Sequence, residues 1–173
     1  MPPPSERLTW TADVVAARAG ERVLEVGCGH GVLVALLAER AGQVLGVDRS
    51  ATMIAAARRR NRSAIDAGRV RVQAAALRDA ELGAEPFDVV VSVNVRAFWD
   101  ADAGTTWDVV DRVLASDGRV VVAFSLMAPG ADAPVVDAVG RLASDRGFRP
   151  HVVHHGRTAP IPSVAIEVRR LSS

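Results

Sequence analysis

Three glycines at alternate positions, Gly27, Gly29 and Gly31, stand in the stretch VLEVGCGHGVL, with Glu25 ahead of them and Asp48 nineteen residues beyond the middle one. Stripped of side chains, the main chain there can pass close to a ligand. The apolar helical pattern that opens near Val32 would offer unpaired N–H groups and the positive end of a helix dipole to something polar. RVLEV, just before the glycines, reads as a buried strand, so the bare backbone sits at the mouth of a strand, where a cofactor can bind. The spacing departs from the dinucleotide fingerprint G-x-G-x-x-G: counted from Gly27 the sixth position is Val32 and Gly31 falls one residue early, which disfavours NAD(P).

Other chemistries are excluded by what the 173 residues lack. All 21 basic residues are arginine, and without lysine there is no P-loop G-K-[ST], no Schiff base to pyridoxal phosphate and no lysine base. Tyrosine is absent too, which removes the Tyr and Lys pair of short-chain dehydrogenases. H-E-x-x-H and G-x-S-x-G do not occur. Cys28 is the single cysteine, so neither an internal disulfide nor a thiol-rich metal site can form, and no metal is expected. A net charge of +1 gives no bulk argument for nucleic acid or an anionic membrane. The start, MPPPSERLTW, lacks the regions of a signal peptide, and no apolar run reaches about 18 residues, so a cytoplasmic protein is expected.

The elements that must position the glycines follow from periodicity. Residues 1–8 read as a flexible tail, followed by a helix near Thr9 to Ala19 that Gly20 stops. RVLEV is the first strand, and a helix with Leu33, Leu36 and Leu37 on one face follows up to Gly42. QVLGVD is the second strand; Ser50 can cap the next helix, which runs on to Gly68. RVRVQA is the third strand and FDVVVSVNV the fourth, an apolar run suited to burial on both faces. A helix around Thr106 to Ala115 leads through an Asp117-Gly118 turn into RVVVAF, and a helix starting near Pro134 ends at Gly147 before FRPHVVHH. Such alternation predicts an α/β fold, a doubly wound, mostly parallel seven-stranded sheet with helices on both faces and one domain over residues 1–173. GRTAPIPS is too short for a parallel crossover, so the last strand, VAIEVRR, is expected to be antiparallel.

The run Glu25-Val-Gly27-Cys28-Gly29-His30-Gly31, with Asp48 ending the second strand, resembles motif I and the following acidic position of class I S-adenosylmethionine-dependent methyltransferases, closest to small bacterial enzymes acting on small molecules. The similarity extends over about residues 10 to 170 and includes the reversed last strand. It implies S-adenosylmethionine as cofactor, with Asp48 accepting from two ribose hydroxyls, the loop amides facing the methionine carboxylate end, and Glu25 organising the loop beneath. Arg49 and Met53 would border the adenosine. Where similar enzymes place Gly-Asp-Ala after the third strand, this chain has Ala74-Ala75-Ala76; backbone groups at Ala75 and Ala76, or Asp79 folding back, would replace the missing adenine contact. Ser116-Asp117-Gly118 stands in place of a Pro-Gly-Gly turn.

Methyl transfer needs mainly alignment of a nucleophile and exclusion of water. Asn94, after the fourth strand, can touch the cofactor's amino group, and the loop it opens is where substrate is met; it does not match the Asn/Asp-Pro-Pro-Tyr motif of amino methylases. Phe98 and Trp99 can wall a substrate pocket, and Trp10 can fold over it as a short lid, ordinary packing being the competing role for each. No residue is assigned as a base: His30 suits a solvent or cofactor-edge contact, His151 a structural place, and the neighbours His154 and His155 point to opposite faces of a strand and cannot chelate together. Arginines 58–60 fan over about 200° of a helix and read as a solvated surface. The expected activity is methylation of a small molecule, with no nucleic-acid or membrane partner and an open oligomeric state. A non-catalytic binding domain of the same fold and an NAD(P)-dependent oxidoreductase are the alternatives.

Overall fold

The computed structural model of the protein describes residues 3–171, so Met1 and Pro2 of the expected tail lie outside the described residues. In chain order the elements are α1 (Glu6–Val15), β1 (Arg22–Val26), α2 (Val32–Ala38), β2 (Gln43–Asp48), α3 (Ala51–Arg60), α4 (Arg62–Asp66), β3 (Val70–Ala74), β4 (Phe87–Val93), α5 (Ala103–Val113), β5 (Leu114–Ser125), α6 (Asp132–Ser144), β6 (Phe148–Gly156) and β7 (Ser163–Arg170). The strands make one sheet in the order β3-β2-β1-β4-β5-β7-β6. Pairing is parallel from β3 through β5, and β7 runs antiparallel to both β5 and β6, as the short connection before it demands. Strand order reverses between β1 and β4, which puts the switch point of the sheet at the glycine loop.

Period-two alternation sorts the core onto two faces. Val23, Val89, Val91 and Val121 pack under Val15, Leu33, Leu37 and Ile54 of the first three helices. Leu24, Val90, Val120 and Val122 pack under Trp107, Val110 and Val139 of α5 and α6. Each such side chain contributes about 1.5–3 kcal/mol of burial, so the sheet is a stiff platform for the loops at its carboxyl edge.

Several boundaries differ from expectation, each for a local reason. α1 starts at Glu6, so residues 6–8, expected in the tail, are helical, and it ends at left-handed Ala16 (φ 47°) before reaching Gly20. Arg119, midway along β5, accounts for that stop: it donates to the Val15 carbonyl at 2.8 Å while pairing with Glu21 at 2.8 Å. α2 ends at Ala38, ahead of Gly42. Ser50 does cap α3, its hydroxyl accepting from the Met53 N–H at 3.2 Å, but the helix breaks at Asn61 instead of continuing to Gly68. Buried Asn61 donates through Nδ2 to the carbonyls of Gly31 and Ala57, both at 3.0 Å, a side-chain bond that competes with the helix and clamps the glycine loop from below. The expected turn at Ser116-Asp117-Gly118 is absorbed into β5 as an irregularity opposite Phe87 and Val89. A Cβ at Gly118 would meet Leu114 Cγ at 2.8 Å, which requires glycine there.

Candidate functional site

β1 delivers the chain into the loop with all three glycines in the left-handed region, at φ 73°, 51° and 71° for Gly27, Gly29 and Gly31. Their surroundings differ. A Cβ on Gly27 would sit 2.5 Å from a methyl of Val95, and one on Gly31 would collide with Asn61 and Ala57, so these two glycines are demanded by protein packing. A Cβ on Gly29 would meet nothing within 4 Å and would project into open space. The loop is therefore held at both ends and bare in the middle.

Asp48 ties that bare middle to β2. Its Oδ2 accepts the Gly29 N–H at 2.9 Å and its Oδ1 accepts the Ser50 N–H at 2.8 Å, so one carboxylate fixes both the loop and the entry to α3. Beneath, Glu25 is buried at 3% exposure; its carboxyl accepts from the Val34 N–H, while Oε2 is buried without a partner among the described residues. Burial first, and the nearby Asp48 charge, push the Glu25 carboxyl well above the usual carboxylate range, against the opposing pull of the Val34 N–H.

The loop's own amides are less available than expected. Gly27 and Cys28 donate to the Val47 carbonyl at 2.8 and 3.0 Å, Gly29 to Asp48, and Gly31 to the Cys28 carbonyl at 2.9 Å, which leaves the His30 N–H as the loop's remaining donor. The His30 side chain is exposed, and its carbonyl accepts from Arg60 Nε at 3.2 Å. Cys28 turns its thiol into the core, in close packing with Gly46, so its main chain alone shapes the loop; burial, with Glu25 and Asp48 nearby, pushes the thiol up. Arg49 is exposed and Met53 half-buried at the start of α3. Ala75 spends its N–H on the Asp48 carbonyl at 2.9 Å, so that amide does not replace the missing adenine contact; Ala76 accepts from the Asp79 N–H at 3.0 Å, and Asp79 pairs with Arg78 at 3.5 Å.

Beyond β4 the expected substrate residues separate. Asn94, at φ 56°, turns to β5: its Oδ1 accepts the Ser125 N–H at 2.8 Å and its Nδ2 reaches Ser125 Oγ at 3.4 Å. Phe98 is core, wholly buried with its ring edge-on to Trp107 at 5.8 Å, because the backbone carbonyl of Phe98 is also the partner of the Trp107 indole N–H at 3.1 Å. Trp99 is half-buried against Phe124, 5.7 Å between centroids, and walls a cleft of about 710 Å³ whose other side is α6 and Pro150. Trp10 packs across Gly156, where an added Cβ would lie 2.5 Å from the indole, so it covers the end of β6 and does not reach over the glycine loop.

His154 and His155 do face apart, toward Glu167 at 3.9 Å and Asp132 at 3.3 Å, whereas His151 is exposed on β6. Arg58, Arg59 and Arg62 line one cleft of about 410 Å³ with Arg71, beside the carboxyl end of α3, where positions 58 and 62 stand one turn apart.

Three residues at the loop's borders were not singled out in the sequence. Asn61 and Val95 have no motif and act only through tertiary contact. Arg7, whose Nη1 donates to Ser125 Oγ at 3.2 Å, lay within the expected tail, although Ser5 ahead of Glu6 is an N-terminal helix signal.

A methyltransferase domain family model matches residues 23–118, more than half of the chain, from the head of β1 through the irregular start of β5. A ubiquinone biosynthesis O-methyltransferase of Leptothrix cholodnii is 34% identical over 92 residues, 51% of this chain and 38% of that protein. The chain spans less than half the length of the curated relatives it first matches. Among solved structures, a magnesium protoporphyrin IX methyltransferase from Synechocystis PCC 6803 with bound SAH superposes with a TM-score of 0.75 at 20% identity, covering 94% of this chain and 83% of that one. The N-methyltransferase NodS from Bradyrhizobium japonicum WM9 gives a TM-score of 0.75 at 18% identity, covering 95% and 94%. With the matched segment spanning the glycine loop, Asp48 and the reversal of strand order, the chain belongs to the methyltransferase domain family and has the class I, Rossmann-like form of it.

Proposed function

We propose that this domain binds S-adenosylmethionine over the glycine loop and catalyses transfer of its methyl group to a small-molecule acceptor held at the carboxyl ends of β4 and β5. The observation that carries the reading is the open space above Gly29, the one loop glycine whose missing side chain faces no protein atom, beside a carboxylate already bonded to its N–H. Two features fit the cofactor. Each Asp48 oxygen keeps a lone pair after its backbone bond and can accept a ribose hydroxyl, and the buried, unpartnered Oε2 of Glu25 lies beneath the loop as an acceptor. When bound, S-adenosylmethionine supplies a methyl group made electrophilic by its sulfonium.

The chain's own residues then bind and align. Asp48 with the Ser50 and Gly29 amides fixes the sugar end, the His30 N–H is the donor for the carboxylate end, and Arg49 and Met53 border the adenosine. Asn94, locked to Ser125, forms a rigid rim between cofactor and acceptor, and Trp99 is the aromatic wall on the acceptor side. Calorimetry with S-adenosylmethionine, S-adenosylhomocysteine and NADPH tests the first half; micromolar binding of the first two and none of the third is expected. Release of S-adenosylhomocysteine across a metabolite panel tests the second. Absence of S-adenosylmethionine binding refutes the reading, and tight binding without turnover on any acceptor favours a non-catalytic binding domain.

A further inference from the structure

We infer that Arg7 is the anchor for an anionic group on the methyl acceptor, a carboxylate or a phosphate, which makes the acceptor class of this domain anionic small molecules. The inference rests on the methyltransferase reading above.

The contacts run without a gap from the glycine loop to this arginine. Gly27 is bare because Val95 occupies the place of its side chain, with 2.5 Å between the would-be Cβ and a Val95 methyl. Asn94, next in the chain, is bonded through Oδ1 and Nδ2 to Ser125, and Ser125 Oγ accepts from Arg7 Nη1 at 3.2 Å. α1 is stretched along β5 to bring this about. Its last carbonyl is held by Arg119 midway along β5, its first turn meets Ser125 at the end of β5, and Glu6 beside it is bonded to the Ala159 N–H at 2.8 Å. Two strand spacings separate β1 from β5, about 10 Å, a distance one small molecule can bridge from the glycine loop to the guanidinium.

Arg7 is otherwise poorly accounted for. No carboxylate among the described residues pairs with it, whereas eleven other described arginines or histidines have such a partner within 4.0 Å. Its Nε is buried with no acceptor among the described residues, an exception to the general pairing of buried polar groups. A guanidinium carries five N–H donors in a planar fork; with Nε enclosed and one N–H of Nη1 given to Ser125, the Nη2 end is the part not buried, and it can donate to a carboxylate or phosphate oxygen.

The test uses small probes and the full chain saturated with S-adenosylhomocysteine. Benzoate and phenyl phosphate report the two anion chemistries and benzamide is the neutral control, each titrated by ligand-detected NMR. The wild type is expected to bind at least one anion tenfold or more tightly than benzamide. R7Q should remove that preference while leaving the benzamide and S-adenosylhomocysteine dissociation constants within twofold. Whichever anion shows the larger R7Q effect identifies the acceptor's group. Equal anion binding by wild type and R7Q, or no preference for either anion over benzamide in the wild type, overturns the inference. Should R7Q be misfolded, S125A answers instead, because it frees Nη1 from its tether: a several-fold loss of anion affinity with benzamide unchanged supports the anchor, and no loss overturns it. Failure of the wild type to bind S-adenosylhomocysteine refutes the methyltransferase reading, and the anion titrations repeated without it still decide the role of Arg7.

Discussion

Asp48→Asn is the sharpest perturbation of the cofactor site, since it keeps shape and removes charge. The carboxylate makes two short bonds to backbone N–H groups, at 2.9 Å to Gly29 and 2.8 Å to Ser50. An asparagine has one oxygen for these two donors, and its NH₂ is turned toward the other. Hydrogen bonds to a charged acceptor are worth about 1.5–3 kcal/mol each, so the free protein should lose about that much, or several degrees in Tm for a domain of this size. The ribose contact is a separate loss of similar size, and S-adenosylhomocysteine should bind about 10- to 150-fold more weakly by calorimetry, measured where both proteins are folded. The two losses are distinguished by a 2′-deoxyribose analogue of the ligand. Against wild type the analogue should bind more weakly than its parent; against Asp48→Asn the two should bind alike, because the group that reads the hydroxyl is gone. An unchanged dissociation constant for the parent refutes the cofactor role of Asp48. An analogue penalty equal in both proteins refutes the ribose contact and leaves Asp48 as a loop fastener.

Gly29→Val should abolish S-adenosylhomocysteine binding, because the added side chain enters the open space above the loop; its left-handed φ of 51° adds about 1–2 kcal/mol of strain, so a folded variant with slightly lower Tm and no binding is expected, and normal affinity would exclude the loop as the site. The raised carboxyl of Glu25 means that the folded protein keeps a proton the unfolded chain releases near its ordinary value of about 4.3, so its contribution is complete below that pH and is lost as pH rises toward the folded value, by up to about 1.4 kcal/mol per pH unit. Glu25→Gln should therefore gain stability over wild type between pH 5 and pH 7 in urea titrations of the ligand-free protein, and a pH-independent difference would show that Glu25 is ionised with a normal carboxyl. Phe98→Ala should cost about 3–5 kcal/mol as a core cavity, whereas Trp99→Ala, at a half-buried cleft wall, should cost less and weaken acceptor binding instead; the reverse order in chemical denaturation would contradict their placement.

The sheet was legible because its signals are local and redundant. RVLEV, QVLGVD and FDVVVSV are runs whose length and β-branched content favour strands, and the six residues between β6 and β7 are too few for a parallel crossover. Asp48 and the glycines were legible for a related reason, since strand, bare loop, helix and a second strand ending in an acid occur in a fixed order along the chain. What was hidden depends on atoms far apart in sequence. The helix break at Asn61 answers to the Gly31 carbonyl thirty residues earlier, the stop of α1 to Arg119 more than a hundred residues later, and the burial of Phe98 to an indole one helix away. The aromatics after β4 show the limit most clearly. Phe98 and Trp99 are adjacent and alike in composition terms, yet one is wholly inside and the other walls a cleft, because the 3-10 turn over Arg96–Phe98 rotates successive side chains by about a third of a circle and sends them to opposite environments. The same holds for the acceptor side as a whole. Its rim is assembled from the first turn of α1, the end of β4 and the end of β5, segments more than 80 and 30 residues apart, so no local pattern encodes it and substrate preference is written in tertiary contacts such as those of Arg7, Asn94 and Ser125.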